Sequence, residues 1–177
     1  MDDIDFTTAQ SYRMNMIETI QQELELEREK RTTLIEKYNK GCTTIDAVQH
    51  GLLITMIACG ATSLGAVTTV VGMPLMIAMD ISAVVAGVLS IASNRIGKYL
   101  KTKMNKHEKI RTLAKTTLSV ISSNISKAIE DDNVSDQEYT LILLEYNKYN
   151  AMKDEIRMKT RKTIEEQNKA LREASRQ

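Results

Sequence analysis

The order of polar and apolar residues divides the chain into three stretches. Up to about residue 39 the apolar positions recur at helical spacing among many charged side chains, and Gly41 follows as a natural helix stop. Residues 51–94 contain a single formal charge, that of Asp80, and beyond residue 106 a helical period of apolar positions returns. We predict an all-α protein with a long N-terminal amphipathic, coiled-coil-like helix over 1–41, a hydrophobic helical hairpin within 42–94, and a C-terminal helical hairpin or bundle within 95–177.

The charge-poor stretch is long enough for two helices. Gly72, Met73 and Pro74 interrupt it, since glycine and proline together favour a break, and this predicts arms over about 51–71 and 75–94. At ~1.5 Å per residue each arm approaches the ~30 Å thickness of a bilayer's hydrocarbon core. We therefore expect a transmembrane helical hairpin.

Small residues are frequent in both arms and allow helix backbones to approach closely in lipid. Gly60 and Gly65 are five positions apart, so they form no GxxxG motif. Small side chains also contribute little to insertion, and the hairpin is therefore expected to be either constitutive or conditionally released to a membrane. The candidate hairpin residues are Gly51, Gly60, Gly65, Gly72, Pro74, Asp80 and Gly87.

Asp80 is the one ionisable group in the apolar run, and such groups are usually functional or paired. It lies six residues after Pro74, only ~9 Å along a helix from the predicted tip. Three roles are open to it: contact with interfacial water, lining of a pore, or binding of a partner's cation.

Charge is distributed unevenly although the net charge is only +1. The stretches 1–50, 51–94 and 95–177 carry −4, −1 and +6, and residues 95–115 hold eight Lys/Arg against one acidic residue. Basic residues beside a membrane segment stay on the cytoplasmic side and attract anionic headgroups, so we expect a membrane protein with cytoplasmic termini. The candidate headgroup-binding residues are Arg95, Lys98, Lys101, Lys103 and Lys106.

Nucleic-acid binding is the competing interpretation of this basic segment. No interleaved aromatic residues or glycines accompany it, which disfavours nucleic acid as a partner. The first 20 residues are acidic and polar and do not have the pattern of a cleavable signal peptide.

Catalysis finds no support in the residue pattern. His50 and His107 lie apart at the two edges of the hairpin and are interpreted as interfacial side chains, and no nucleophile, phosphate-loop or zinc pattern is present. We expect no enzymatic activity, no cofactor and no small-molecule substrate.

The acidic stretch 130–138 has two interpretations. It partly follows the end of an EF-hand loop, but Lys127 and Ile129 would then occupy liganding positions and Asp132 the position that requires glycine. Ser135 and Glu138 instead form a capping-box pattern for the next helix, which favours a structural turn.

The C-terminal half resembles an uncharacterised family associated with marine invertebrate genomes and their virus-like mobile elements. The similarity covers roughly residues 42–160, and its motifs are KHEKIRTLA at 106–114, ISKA at 125–128, VSDQEY at 134–139 and KYNAMKDEIR at 148–157. It implies a viral or transposon-encoded protein that is membrane-active or virion-associated. The hairpin also resembles, in architecture alone, apolipoprotein L-type proteins and two-transmembrane effector proteins of bacterial defence systems.

Two functional hypotheses follow. In the first, the hairpin inserts into a membrane, the basic run anchors it, and the remaining helices self-associate, with permeabilisation as a further step. In the second, a structural or interaction protein uses the apolar hairpin as the core of a helical bundle or of an oligomer.

Overall fold

The chain forms three long helices in a computed structural model: α1 (Asp2–Gly65), α2 (Gly72–Glu130) and α3 (Asp136–Ala174). The structure describes the backbone of residues 2–65, 72–130 and 134–174, and the side chains of 8–57, 82, 84–126, 134–170 and 172–173. No strand occurs over the described backbone. The predicted all-α fold is confirmed.

The predicted helix stop at Gly41 is wrong, because α1 runs through this residue to Gly65. Gly41 instead allows α1 and α2 to pack closely. A Cβ atom built on it would lie 3.1 Å from Cδ1 of Leu100 in α2, so the missing side chain lets the two helices approach each other. The helix accepts the glycine at a cost of roughly 0.5–1 kcal/mol.

The break between the two arms was predicted at Gly72, Met73 and Pro74, but these residues lie within a helix. Gly72, Met73 and Pro74 form the first turn of α2. Proline is tolerated there because the first N–H groups of a helix have no intrahelical acceptor. Residues 66–71, the predicted end of the upstream arm, lie outside the described residues.

The chain divides into two compact units, and their boundaries differ from the predicted ones. Residues 1–36 and 104–177 form one unit, which we call the helical bundle. Residues 37–103 form the other, which we call the apolar unit. The N-terminal and C-terminal segments share one unit because their apolar stripes pack on one another.

The core of the helical bundle receives side chains from all three helices. Ile17 and Leu24 from α1 meet Ile121 from α2 and Ile142 from α3, and each of these four is almost completely buried. Within each helix the core residues are three, four or seven positions apart, which places them on one face. The full cluster is Ile17, Ile20, Leu24, Ala114, Ile121, Ile125, Val134, Ile142 and Tyr149.

The connection between α2 and α3 is fixed by side chains from both ends of the chain. The Ser135 backbone N–H donates to Glu138 Oε2 at 3.0 Å, and the Glu138 N–H donates to Ser135 Oγ at 3.3 Å. The predicted capping box is thus confirmed. Arg13 of α1 donates from Nη1 to the Val134 carbonyl oxygen at 2.9 Å and pairs with Asp136, so α1 holds this turn in place.

Truncation of one core side chain tests this packing. We expect Ile142→Ala to lower the free energy of unfolding by about 2–5 kcal/mol, since it leaves a cavity where all three helices meet. The neighbouring Leu141, 53% exposed, provides a matched control, and Leu141→Ala is expected to cost well under half as much. Urea denaturation followed by circular dichroism measures both, and equal losses would contradict the assigned core.

Candidate functional site

The apolar unit consists of two antiparallel helical segments. Gly41, Ile45 and Met56 of α1 lie opposite Leu100, Gly97 and Gly87 of α2, respectively. Residue numbers therefore rise along α1 while those of the contacting residues fall along α2. A Cβ atom on Gly97 would lie 3.6 Å from Ile45 Cγ2, and one on Gly87 would lie 3.8 Å from Met56 Cε. Glycines therefore occur repeatedly where the two segments touch.

Most large apolar side chains of this unit that the structure describes point away from that contact. Ile54 is 68% exposed, Ile57 69% and Val88 62%, whereas Ala86 and Gly97 are buried. Two helices can cover only one stripe of each other, and a helix that is apolar on several sides leaves the rest uncovered. The exposed apolar surface comprises Val48, Leu53, Ile54, Ile57, Val84, Val85, Val88, Leu89, Ile91 and Ile96.

The candidate hairpin residues fall into two groups. Gly87 is half-buried against Met56, and Gly51 is exposed, with open space where a Cβ atom would be. Gly60 and Gly65 lie in α1, and Gly72, Pro74 and Asp80 lie in α2. The side-chain surroundings of these last five lie outside the described residues, so the three roles considered for Asp80 stay predictions.

Two glycines of the helix contact were missed by the sequence interpretation. Gly41 was assigned as a helix stop, and Gly97 was not selected at all. An isolated glycine inside a helical pattern often has a packing reason, and that signal was available for Gly97. The partner of each glycine lies on the other helix, so the sequence alone did not identify the contact.

The basic run lies inside helix α2, and its members differ in exposure. Arg95, Lys98 and Lys101 are exposed and follow one another at three-residue spacing. Lys103 is half-buried, with Nζ 5.4 Å from the centroid of the Tyr99 ring, and Lys106 is a half-buried residue of the helical bundle. The structure thus presents the first three cations most openly to solvent.

Over the described residues, the helices include no stretch whose length and hydropathy would let it span a membrane.

His107 is not at an interface, and its prediction as an interfacial side chain is wrong. It is 6% exposed inside the helical bundle, where Arg31 Nη1 lies 2.9 Å from its Nδ1. His50 is exposed, and its Nδ1 lies 2.7 Å from the Asp46 carbonyl oxygen. The partner of His107 is 76 residues away in the chain, so no local sequence signal could have identified it.

A buried polar cluster surrounds this contact. Arg31 donates from Nε to Glu27 Oε1 at 3.0 Å, and Lys153 Nζ from α3 lies 3.8 Å from the same oxygen. Burial alone raises the pKa of Glu27, but the hydrogen bond and charge of Arg31, together with Lys153, bring this pKa below its usual value. Glu27 is therefore held as a carboxylate shared by two cations.

Tyr149 adds a phenol to the cluster. Burial, together with the Glu27 carboxylate, raises the pKa of Tyr149 to about 12. Its hydroxyl is buried without a hydrogen-bond partner among the described residues. The residue Tyr149 also lines a cavity of about 180 Å³, together with Glu23, Glu27 and Lys153. Within the described part of the chain, no three His, Cys, Asp or Glu residues are grouped to hold a metal ion.

No protein-family model, curated protein or solved structure matches this chain. The resemblance to the mobile-element family stays a prediction, and so does the viral or transposon origin that it implies. The features that can indicate a function are the exposed apolar surface, the basic residues beside it and the polar cluster of the helical bundle.

Paired glycine substitutions test the helix contact of the apolar unit. Gly51→Ala is expected to raise the free energy of unfolding by roughly 0.5–1 kcal/mol, because alanine stabilises a helix interior and the site is open. Gly41→Ala is expected to gain clearly less, since Leu100 must move to admit the methyl group. Thermal unfolding of the two variants compares them directly. Equal gains would show that α1 and α2 do not approach closely at Gly41.

Proposed function

We propose that this chain is a non-enzymatic, membrane-binding helical protein whose apolar unit enters a lipid bilayer. The supporting observation is the exposed apolar surface on residues 48–57 and 84–96. Contiguous exposed apolar side chains are uncommon on soluble monomers and are typical of surfaces that contact lipid or protein. The helical bundle, in contrast, buries its apolar stripes within itself.

The size of the expected transfer energy indicates how the protein would bind. Complete burial of a Val, Leu or Ile side chain contributes about 1.5–3 kcal/mol, so ten half-exposed side chains contribute on the order of 10 kcal/mol. That value is comparable to the transfer free energy of a single myristoyl chain, which gives only marginal and reversible membrane binding. A second attraction is therefore needed for stable association.

The exposed cations provide that attraction. Arg95, Lys98 and Lys101 follow the apolar segment 84–91 directly along α2. Each Lys or Arg near an anionic membrane surface contributes about 1 kcal/mol. We infer that binding requires anionic headgroups as well as the apolar surface.

The same cations favour lipid over a second copy of the chain as the cover for this surface. A two-fold symmetric contact whose axis passes close to these cations would bring the same basic side chains near one another. Anionic headgroups neutralise these charges instead. Self-association, with or without permeabilisation, is then a step that follows membrane binding.

Vesicle co-sedimentation with matched variants tests the apolar part of the proposal. A triple change to glutamine at Ile54, Ile57 and Val88 is expected to reduce binding to anionic vesicles at least tenfold, because it removes apolar area from the exposed surface. The matched control places glutamine at Leu26, Leu141 and Leu144, which are 65%, 53% and 60% exposed in the helical bundle. This control is expected to bind as the unaltered chain does.

Two outcomes would contradict the proposal. Equal losses in both triple variants would assign binding to general hydrophobicity. An unaltered chain that stays in the supernatant and forms a concentration-dependent oligomer, lost only in the apolar-unit variant, would identify a second copy as the cover.

Charge reversal tests the basic part. Glutamate at Arg95, Lys98 and Lys101 is expected to abolish the preference for anionic over neutral vesicles, because repulsion replaces attraction. Glutamate at the exposed Lys159, Lys162 and Lys169 of α3 makes the same change in net charge and is expected to retain the preference. Binding isotherms at two ionic strengths measure this preference for anionic vesicles. Loss of the preference in both variants would show that it depends on net charge alone.

A further inference from the structure

The antiparallel pairing of α1 and α2 brings the charged borders of both helices to the same end of the apolar unit. Ile45 of α1 lies opposite Gly97 of α2. Asp46 follows Ile45, and Arg95 precedes Gly97 by two positions. Asp46 and Arg95 are the charged residues that border the charge-poor stretch on either side, and the pairing places them at nearly the same level along the two helices.

Beyond this level both helices continue side by side without charge on any described side chain. Residues 47–57 of α1 and 84–94 of α2 include no Asp, Glu, Lys or Arg, and Met56 lies opposite Gly87. At ~1.5 Å per residue each segment is ~15 Å long, about half of the ~30 Å hydrocarbon core of a bilayer. Asp80 lies ~22 Å along α2 from Arg95, and its side-chain surroundings are outside the described residues.

Apolar side chains are exposed on several sides of the pair. At about 100° per residue, Val48 and Ile57 lie on opposite sides of α1, and they are 48% and 69% exposed. Leu89 and Ile91 are separated by about 160° around α2 and are 49% and 57% exposed. A helix that lies in the membrane plane has a charged face opposite its apolar face, and these two segments do not have that pattern. End-on entry covers every side of the pair, whereas a pair lying flat covers only one.

Both helices contribute exposed cations to the charged end. Lys40 of α1 precedes Gly41, and Lys101 of α2 follows Leu100, so the contact between Gly41 and Leu100 places the two lysines at the same level. Both lysines are exposed. Tyr99, which is 41% exposed, lies in the same region, and tyrosine is enriched where membranes meet water.

We propose that the apolar unit enters the bilayer end-on, with Lys40 of α1 joining Arg95, Lys98 and Lys101 of α2 at the anionic headgroups. Residues 48–57 and 84–94 then lie within the first leaflet. This orientation rests on the proposed lipid binding and adds to it a depth for each segment and a headgroup contact from α1.

Single tryptophans measure the depth of each segment, because the chain contains no other tryptophan. Four exposed positions of the full chain carry the probe in turn, Val48 and Ile57 on α1 and Val84 and Ile96 on α2. Anionic vesicles carry bromine either near the headgroup end or near the methyl end of the acyl chains. The two sites are ~13 Å apart along α1 and ~18 Å apart along α2. We therefore expect the deep bromines to quench Ile57→Trp and Val84→Trp at least twofold more strongly than the shallow ones do, and the reverse for Val48→Trp and Ile96→Trp.

The outcomes separate end-on entry from lipid binding itself. Variants that sediment with the vesicles but show one common depth for both sites of each helix would overturn end-on entry and leave lipid binding intact. Strong quenching at Ile57→Trp with none at Val48→Trp by either bromine would indicate a pair lying flat, and would overturn it as well. If the unaltered chain and all four variants stay out of the vesicle pellet, both lipid binding and the orientation are overturned.

Charge reversal at Lys40 tests the headgroup contact from α1. Lys40→Glu is expected to weaken binding to anionic vesicles about tenfold, because repulsion replaces the attraction of one cation near the surface. Lys162→Glu makes the same change in net charge at an exposed position of the helical bundle and is expected to weaken binding less than threefold. Equal effects of the two variants in co-sedimentation would overturn the placement of Lys40 at the headgroups.

Discussion

The structure depends on the packing of three apolar stripes that lie far apart in the chain. Ile17 and Leu24 reach the same core as Ile121 and Ile142, although at least 97 residues separate the first pair from the second. This packing brings the N-terminal 36 residues and the C-terminal 74 into one unit. Between them α1 and α2 continue as a helical pair, and no third helix covers this pair among the described residues of its unit, so large apolar side chains there stay exposed. The proposed membrane function is based on these exposed apolar side chains.

The buried polar cluster places a second constraint on the bundle. The cluster of Arg31, Glu27, His107 and Lys153 brings charged groups of α1 and α3 and a polar ring of α2 out of water, which is costly unless each finds a partner. A shift of one helical turn between α1 and α2 would separate Arg31 from His107 and break this buried contact between the two helices. We infer that the cluster defines how the helices align, whereas the apolar core provides most of the stability.

Much of the fold could be predicted from the sequence because helix signals are local. The capping box at Ser135 and Glu138, the end of α2 at Glu130 and the start of α3 at Asp136 all follow from neighbouring residues. Gly41 was misassigned because a glycine that ends a helix and one that admits a neighbour have the same local pattern. His107 was misassigned because its burial depends on Arg31, 76 residues away. The exposed face of the apolar unit likewise depends on which residues meet across the helical pair.

A fluorescent probe in the apolar unit tests the central claim most directly, since the chain contains no tryptophan. An Ile54→Trp variant reports on the apolar unit, and a Leu141→Trp variant reports on the helical bundle. With anionic vesicles that carry bromine on their acyl chains, the account predicts a blue shift and strong quenching for Ile54→Trp and little change for Leu141→Trp. Fluorescence of Ile54→Trp that the vesicles leave unchanged would contradict entry of the apolar unit into lipid.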